Sequence, residues 1–446
     1  MVCNKGLVVG GCLLGFTLGL SQGCFDPPAD VPFDAAPPDA EVDAPIICTA
    51  STTTCENNRY IECDERGSVS LQLTCPLGCD DTEVKCRDVD PSNGVAMYLD
   101  RAGTDPDAPD LVLSAGSTID TDTGIVFDGA LSVDVPSTDL GPYRVFIVKS
   151  LAVDGNTKVS GGRGVIIVSD GEVEISALLD VSADMEVDGP GAASGACQGS
   201  DANAASFPGG GGGGGNSLVG GAGGESNNGA SAGAVGGAPH VDVDLDPLVG
   251  GCDGGRSIVT GSVCTSGGGG GGGALQIVSR VEIALTGSGS IDASGGGGIT
   301  AMHGATCPAS GNSTRGGGGG GSGGMVLLEA PQVRLEGAAV VVSTKGGSGS
   351  AGGVDGGARN GSDGGTGSVA APGGMDTTQA WGGNGGTEVL PPRAGGYANP
   401  NLYGGGGGGS VGQARFNTTS GTINPQSGAA LRTQYSTGAL RTRLVP

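Results

Sequence analysis

The sequence predicts an all-β protein: a right-handed parallel β-helix, or solenoid, with long glycine-rich insertions, preceded by a small disulfide-rich module. Three observations point there. Short aliphatic stretches of period two recur after residue 87, 96 of the 446 residues are glycine, and six cysteines crowd into residues 48–86. Glycine is at roughly three times its ordinary usage, and aromatic residues make up only 3% of the chain. That composition excludes a conventional helical globule. The charge excludes a further class. With 46 acidic residues against 21 basic ones, the net charge of -25 repels nucleic-acid phosphates and anionic head groups, so no nucleic-acid partner is expected.

Residues 1–23 read as a signal peptide. After Lys5, the apolar stretch Gly6 to Leu20 covers 15 residues, short of the roughly 20 that a membrane-spanning helix needs and right for a signal-peptide core. It runs into Leu20, Ser21, Gln22, Gly23 and Cys24. This ending resembles a bacterial lipobox, although Ser21 stands where that motif usually has leucine. The resemblance implies lipidation of Cys24 and a membrane partner reached through acyl chains, each buried methylene contributing about 0.8 kcal/mol. Cleavage as an ordinary secretory peptide is the alternative. The expected location is exported, lipid-anchored to the cell envelope at the outer membrane or cell surface. Residues 24–47 then form a tether: Asp26 to Ile47 holds six prolines, six acids and no Lys or Arg, a composition that cannot fold on its own.

The six-cysteine segment comprises Cys48, Cys55, Cys63, Cys75, Cys79 and Cys86. In an exported chain such a segment is a disulfide framework, since it is too small to build a core. Its connectivity is open at this level. No histidine lies nearby and no pair has zinc-knuckle spacing, which disfavours metal. The run CTASTTTCENNRYIECDERGSVSLQLTCPLGCDDTEVKC resembles a cysteine-rich module of surface lipoproteins from gliding soil bacteria. That resemblance implies a stalk and a location, and no chemistry.

Residues 87–446 are the expected solenoid. RVFIVKSLAVDGNTKVSG, GVIIVSDGEVEISALLDVS, GALQIVSRVEIALTGSGSIDASG and GMVLLEAPQVRLEGAAVVVSTKG are copies of one unit. Aligned, they place Leu151, Val173, Val281 and Val333 in one inward column and Val153, Ile175, Ile283 and Leu335 in the next. Glu174, Glu282 and Arg334 point out between them, because a strand alternates faces. A single copy cannot bury its own face, so the copies stack. ARFNTTSGTINPQSGAA is expected to close the stack, and the runs near Ile119 and Val126 to open it.

Insertions are expected at about 189–273, 295–323 and 346–413, each rich in glycine. Polyglycine is ordinarily a flexible linker, but three of the runs lead almost directly into a strand. Cys197, Cys252, Cys264 and Cys307 all lie in the insertions and suggest two further disulfides. These features favour packed polyproline-II-like strands. In this they resemble the glycine-rich domain of anaplastic lymphoma kinase type receptors, a likeness without functional content.

Candidate chemistry is sparse. GxGxxG matches are chance in such a sequence. Two GxSxG matches, at Ser322 and Ser410, would need a histidine base, and the chain holds only His240 and His303. HVDVDLD places Asp242, Asp244 and Asp246 on one face of an extended strand with His240, a set of hard oxygen ligands suited to calcium. A solvated acidic edge is the competing reading. NGSDGG around Asp363 resembles a calcium-binding nonapeptide without its preceding glycines. Calcium is thus the one cofactor suggested. Asp170, Glu172, Glu174, Asp180, Asp184, Glu186 and Asp188 form the densest acidic patch, and paired carboxylates are what glycoside hydrolysis requires. Sugar grooves also carry aromatic platforms, and Trp381 is the single tryptophan. After Glu388 there is no acid, while Arg393, Arg415, Arg432, Arg441 and Arg443 make the tail basic. Solvated arginines are the simpler account of that tail, and docking on an acidic surface the other.

The order of lipobox, acidic tether, cysteine module and glycine-rich body, with GGGGGGGALQIVS and GQARFNTTSGTI, resembles uncharacterised glycine-rich surface lipoproteins of gliding bacteria. The resemblance implies a non-catalytic anchored protein acting in adhesion or envelope structure, with polysaccharide or another surface protein as partner. A polysaccharide-active lyase or hydrolase is the alternative.

Overall fold

A computed structural model of the protein describes residues 48–445, apart from 57, 81, 206–207, 227–230, 241, 260–264, 301, 304–315, 354–358, 376–379, 398–402 and 427. The signal peptide, Cys24 and the tether lie outside the described residues, as do Cys264 and Cys307. The described chain is almost entirely β, and its main sheets are largely parallel.

In the module, β1 (Thr53–Glu56), β2 (Arg59–Cys63) and β3 (Val69–Thr74) form an antiparallel sheet, followed by β4 (Cys79–Asp80) and β5 (Lys85–Val89). Disulfides join Cys48 to Cys63, Cys55 to Cys79 and Cys75 to Cys86. Tyr60, Cys75 and Cys86 are its small buried cluster, so covalent links stand in for the core the segment lacks. Then comes the one helix among the described residues, α1 (Ala96–Thr104).

The chain next passes through three sheets in turn. A first circuit uses β6 (Asp110–Leu113), β7 (Thr118–Asp120), an antiparallel excursion through β8 (Ile125–Asp128), β9 (Leu131–Val133) and β10 (Ser137–Leu140), then β11 (Tyr143–Val148). A second uses β12 (Ser150–Val153), β13 (Thr157–Ser160) and β14 (Gly164–Ser169). The third runs through β15 (Val173–Ile175) and β16 (Leu178–Asp180). It leaves for an insertion holding β17 (Ala202–Ala205), β18 (Ser257–Val259) and β19 (Thr265–Ser266), and returns as β20 (Ala274–Ser279). The fourth is β21 (Glu282–Thr286), β22 (Ser290–Asp292), an insertion with β23 (Met302–His303), and β24 (Met325–Glu329). The fifth is β25 (Gln332–Glu336), β26 (Val341–Ser343), an insertion, and β27 (Gln413–Thr418). β28 (Ala430–Arg432), β29 (Gln434–Ala439) and β30 (Thr442–Val445) end the chain.

Sheet I has the order β10-β11-β14-β20-β24-β27-β29, sheet II β25-β21-β15-β12-β6, and sheet III β28-β26-β22-β16-β13-β7-β8-β9. Their inner faces share one core. Alternate residues Phe146, Val165, Ile167, Leu275, Ile277 and Leu328 point into it from sheet I, each worth about 1.5–3 kcal/mol when fully buried. The opposite face of sheet I is covered as well, by Val95 and Leu99 of the α1 region and by Leu245 and Leu248. This explains why these strands read as nearly continuous aliphatic runs.

The inward columns hold Leu151, Val173, Ile283 and Val333, and next to them Val153, Ile175, Leu285 and Leu335. This corrects the expected alignment, in which Val281 and Ile283 stood two places earlier. Ser169 pairs with Ser279, and three turn residues follow each serine before the inward position. Val281 therefore belongs to a turn and is exposed. A slip of two residues is one pleat period, so the inward face survives it. Glu282 still points out, where Arg334 pairs with it at 2.6 Å.

All three long insertions leave after a sheet III strand and return into a sheet I strand of the same circuit. They emerge from one corner in three successive layers, so their glycine runs meet. Within the first insertion Gly211 donates to Gly317 O, Gly212 to Ser200 O and Gly213 to Gly221 O; Gly214 then returns to the first neighbour at Gly320 O, and Gly215 to the second at Cys197 O. A strand of three residues per turn sends its N–H groups in three directions, and these bonds have that period. Gly320 passes the contact on to Gly407 O, and Gly407 donates to Gly211 O. The runs are ordered and buried, as their position before strands suggested.

Glycine is required here by space. A Cβ on Gly407 would lie 2.0 Å from the carbonyl oxygen of Gly221, and one on Gly213 would lie 1.9 Å from that of Gly408. At Gly367 a Cβ would meet nothing within 4 Å. Gly407→Ala is therefore expected to cost about 3 kcal/mol, in the range of strong overpacking, whereas Gly367→Ala leaves stability unchanged. Urea unfolding of the two variants beside the parent checks the contrast.

Candidate functional site

Two places bring chemistry-bearing groups together. The first is a cleft of 890 Å³ between the cysteine module and the body, with Leu73, Pro76, Val281, Pro331 and Val445 in its walls. It exists because the last strand returns to the first part of the chain: β30 pairs antiparallel with β5, from Thr442 against Val89 to Val445 against Cys86. β5 thus runs across the expected boundary at residue 86 and ties module to body.

The cleft floor is charged. Arg280 donates Nε and Nη2 to the two oxygens of Asp88, both at 3.0 Å, and Nη1 to Asp170 at 2.6 Å and Nη2 to Asp100 at 2.8 Å. Arg443 adds bonds to Asp88 and Asp100. Asp88 is only 2% exposed, and this bidentate grip is what makes its burial tolerable. Asp170, part of the acidic patch weighed as candidate chemistry, is thereby engaged in the joint.

Behind the cleft a second buried carboxylate is held without a cation. Glu329 accepts from Ser92 N and Oγ, from Gln276 Nε2 and from Asn417 Nδ2, at 2.7–3.0 Å. Asn93 extends the network, donating to Leu245 O and accepting from Leu248 N. Sequence reading passed over Gln276, Glu329 and Asn417. Their signal is a polar residue within each of three paired aliphatic strands: Glu329 and Asn417 stand in register, and Gln276 lies two residues away on the same face, opposite Leu327.

The second place is the outer face of sheet III. Lys158 stands in register with Asp180, Asp180 with Asp292, and Asp292 with Ser343. Lys158 Nζ reaches Asp180 at 3.1 Å, and Asp180 accepts from Ser182 N and Oγ. Asp292 accepts from Ser294 N in the same way. Burial pushes the Asp292 carboxyl up to about 6, opposed by hydrogen bonds from Ser294 and reinforced by the charge of Asp180. A carboxyl raised by burial beside a second carboxylate is an ingredient of acid–base catalysis. The repeated Asp-x-Ser turn also has a purely local role, since it ends the two strands from which the first and second insertions depart.

The rest of the acidic patch is dispersed. Glu174 accepts from Thr286 Oγ1, and Asp184 bridges through its backbone to Val187. Asp188 is raised by packing against the glycine strands and by Asp253 beside it. Glu172 stands at the turn before β15, where its carbonyl accepts from Leu151 N. Ser322 and Ser410 are buried in the glycine strands, and Ser322 Oγ bonds Cys252 N and Gly215 O. They are not exposed nucleophiles.

The expected calcium strand is corrected. Residues 242–247 form turns instead, with Leu245 at φ 52° and Asp242 Oδ1 accepting from Asp244 N. Leu245 and Leu248 are drawn into the apolar cover of sheet I, which breaks the alternation. Asp244 pairs with Arg415 at 2.8 Å and Asp246 with Arg441 at 3.6 Å. The basic tail docks on this acidic turn and on Asp88, contrary to the simpler reading of solvated arginines. Asp363 Oδ1 accepts from Met185 N and Gly297 N, joining two insertions. Cys197 and Cys252 form a disulfide, and burial lowers the pKa of the nearby His240.

No protein-family model, curated protein or solved structure matches the chain.

Two outcomes follow from the charges. Arg280→Met leaves Asp88 buried with a weakened partner, and is expected to cost about 3–5 kcal/mol in denaturant unfolding; Asp170→Asn, at the exposed rim, costs about 1 kcal/mol or less. For Asp292 the sign is set by its raised value. Between its ordinary 3.8 and about 6, the folded chain keeps a proton that the unfolded chain has lost, so stability falls as pH rises through that interval and is level above it. Asp292→Asn is expected to flatten this limb, read as the difference between variant and parent unfolding midpoints across the interval.

Proposed function

We propose that the protein is an exported, lipid-anchored, non-catalytic surface lipoprotein acting in adhesion or envelope structure. Its body on this reading is a right-handed parallel β-helix, supported by the circuits through three sheets, and its glycine-rich side is the contact face. The likeness to glycine-rich surface lipoproteins of gliding bacteria and the acidic tether support the same reading.

The observation that carries it is the placement of apolar residues at the reversals between glycine strands. Val219, Val369, Val389 and Leu390 are 51–76% exposed there. Gly395 donates to Ala222 O, and a Cβ on Gly221 would meet Arg393 O, so the strands after Leu218–Val219 and after Val389–Leu390 run side by side. Their two apolar tips lie at one end of the layer. Trp381, 46% exposed, rests on Gly396 beside the exposed Tyr397. Rigid presentation of apolar groups in water favours contact with a partner surface. Most of the carboxylates that hydrolysis would need are instead tied to arginines, lysines or backbone amides.

A polysaccharide-active enzyme remains the second reading, favoured by the Asp180–Asp292 pair. Incubating the oxidised chain with a polysaccharide panel, with and without calcium, separates the two. Retention without product is expected. Released oligosaccharides that vanish in the Asp180→Asn/Asp292→Asn variant would make it an enzyme. Cys24→Ser is expected to move the protein from the membrane to the soluble fraction, and an unchanged distribution would remove the anchor.

A further inference from the structure

Cys197, Cys252 and His240 converge where the first insertion folds back on itself. Their sulfurs and an imidazole nitrogen all lie within 4.8 Å of one another. Cys197 is 3% and Cys252 0% exposed. Both ring nitrogens of His240 are shielded from solvent and have no hydrogen-bond partner among the described residues. Buried polar atoms are nearly always paired, and an orphan costs about 1–3 kcal/mol. Asn216, whose backbone carbonyl accepts the backbone N–H of His240 at 3.0 Å, holds a second such orphan, its Oδ1. Two sulfurs held to each other and an imidazole without a hydrogen-bond partner, gathered within 4.8 Å, form a ligand set.

We propose that Cys197, His240 and Cys252 are a masked site for a zinc-class divalent ion, closed while the two cysteines form their disulfide and opened when a dithiol reduces it. The dithiol supplies two electrons and two protons and becomes a cyclic disulfide, leaving two cysteine thiols. The ion then displaces both thiol protons to solvent and binds two thiolates and one neutral imidazole. The centre carries no net charge, which suits a buried position. A tetrahedral zinc-class ion holds its sulfur and nitrogen ligands about 3.5–3.8 Å apart, so the thiols must separate by a rotamer change and the imidazole needs little movement. The Cα atoms of the two cysteines, 5.8 Å apart, allow this without backbone rearrangement. The fourth position is left to solvent.

The test uses the full chain, reduced with a dithiol under anaerobic conditions, desalted and titrated with Co²⁺. Thiolate charge-transfer and tetrahedral d–d absorption report the ligands, and Zn²⁺ is added last to displace the cobalt. The parent, His240→Gln, and the double variant Cys197→Ser/Cys252→Ser are compared, so the module cysteines contribute equally to all three. The reduced parent is expected to bind about one equivalent more than either variant, in line with a single tetrahedral site, and the oxidised parent to lack that equivalent. Equal uptake by all three reduced proteins overturns the site, as does parent uptake that His240→Gln leaves unchanged. His240→Gln keeps the disulfide, and an unaltered melting temperature in its oxidised form separates loss of a ligand from loss of the fold.

Discussion

The structure depends on the absence of a side chain. Where glycine strands cross, the Cα of one sits against the carbonyl of the next, so that an added Cβ would stand about 2 Å from an oxygen at Gly210, Gly213, Gly406 and Gly407 alike. Only at this separation can every strand reach neighbours in three directions. Ordering glycine costs more backbone entropy than ordering any other residue, and one hydrogen bond returns only about 0.5–1.5 kcal/mol net. A single run would stay disordered. What changes the balance is the root: the three insertions begin and end on paired strands of sheets III and I, so their ends are fixed before the glycines meet.

The circuits and the glycine layer therefore support each other. Parallel pairing from β16 to β22 to β26 sets the spacing at which the insertions leave, and pairing from β20 to β24 to β27 sets the spacing at which they return. Gly296 donating to Gly270 O, Gly321 to Gly296 O and Gly347 to Gly321 O continue that order as a hydrogen-bonded ladder from the first insertion through the second to the third. The far end of the chain follows the same logic of closure. β30 pairs with β5, and Arg443 and Arg280 converge on Asp88, so the disulfide module is clamped by the middle and the last strand of the body.

Aliphatic alternation made the stacked strands legible, and their faces were read correctly for Leu151, Val173 and Val333. Val281 was misplaced because VEI in one copy looks like VEI in another, while the actual register follows the three-residue turn after Ser169 and Ser279. Pattern matching sees letters, and pairing responds to turn length. HVDVDLD failed for a related reason: Leu245 and Leu248 gain more from covering sheet I than the segment gains as an isolated edge strand. The buried joint of Asp88, Arg280 and Arg443 joins residues up to 355 apart, a contact that no local pattern encodes. Cysteine count, by contrast, foretold disulfides in the module and in the first insertion, while leaving the partners open.

These constraints bear on what the molecule can do. A catalytic groove needs carboxylates free to change protonation and partners during a reaction. Here Asp88, Asp170 and Glu329 are held by two or more donors or by an arginine, and Asp180 is held by Lys158 and its own Asx turn. Asp292, like Asp188, has the raised titration that an acid needs, yet Asp292 is 8% exposed, behind the Gly364–Gly365 segment of the third insertion. The glycine layer offers the opposite properties: close packing, few and mostly small side chains within it, and exposed apolar groups at its reversals. Such a layer resists bending by steric contact between backbones rather than by a hydrophobic core. It can therefore hold small apolar groups outward without collapsing around them, which suits a contact surface better than a site of chemistry.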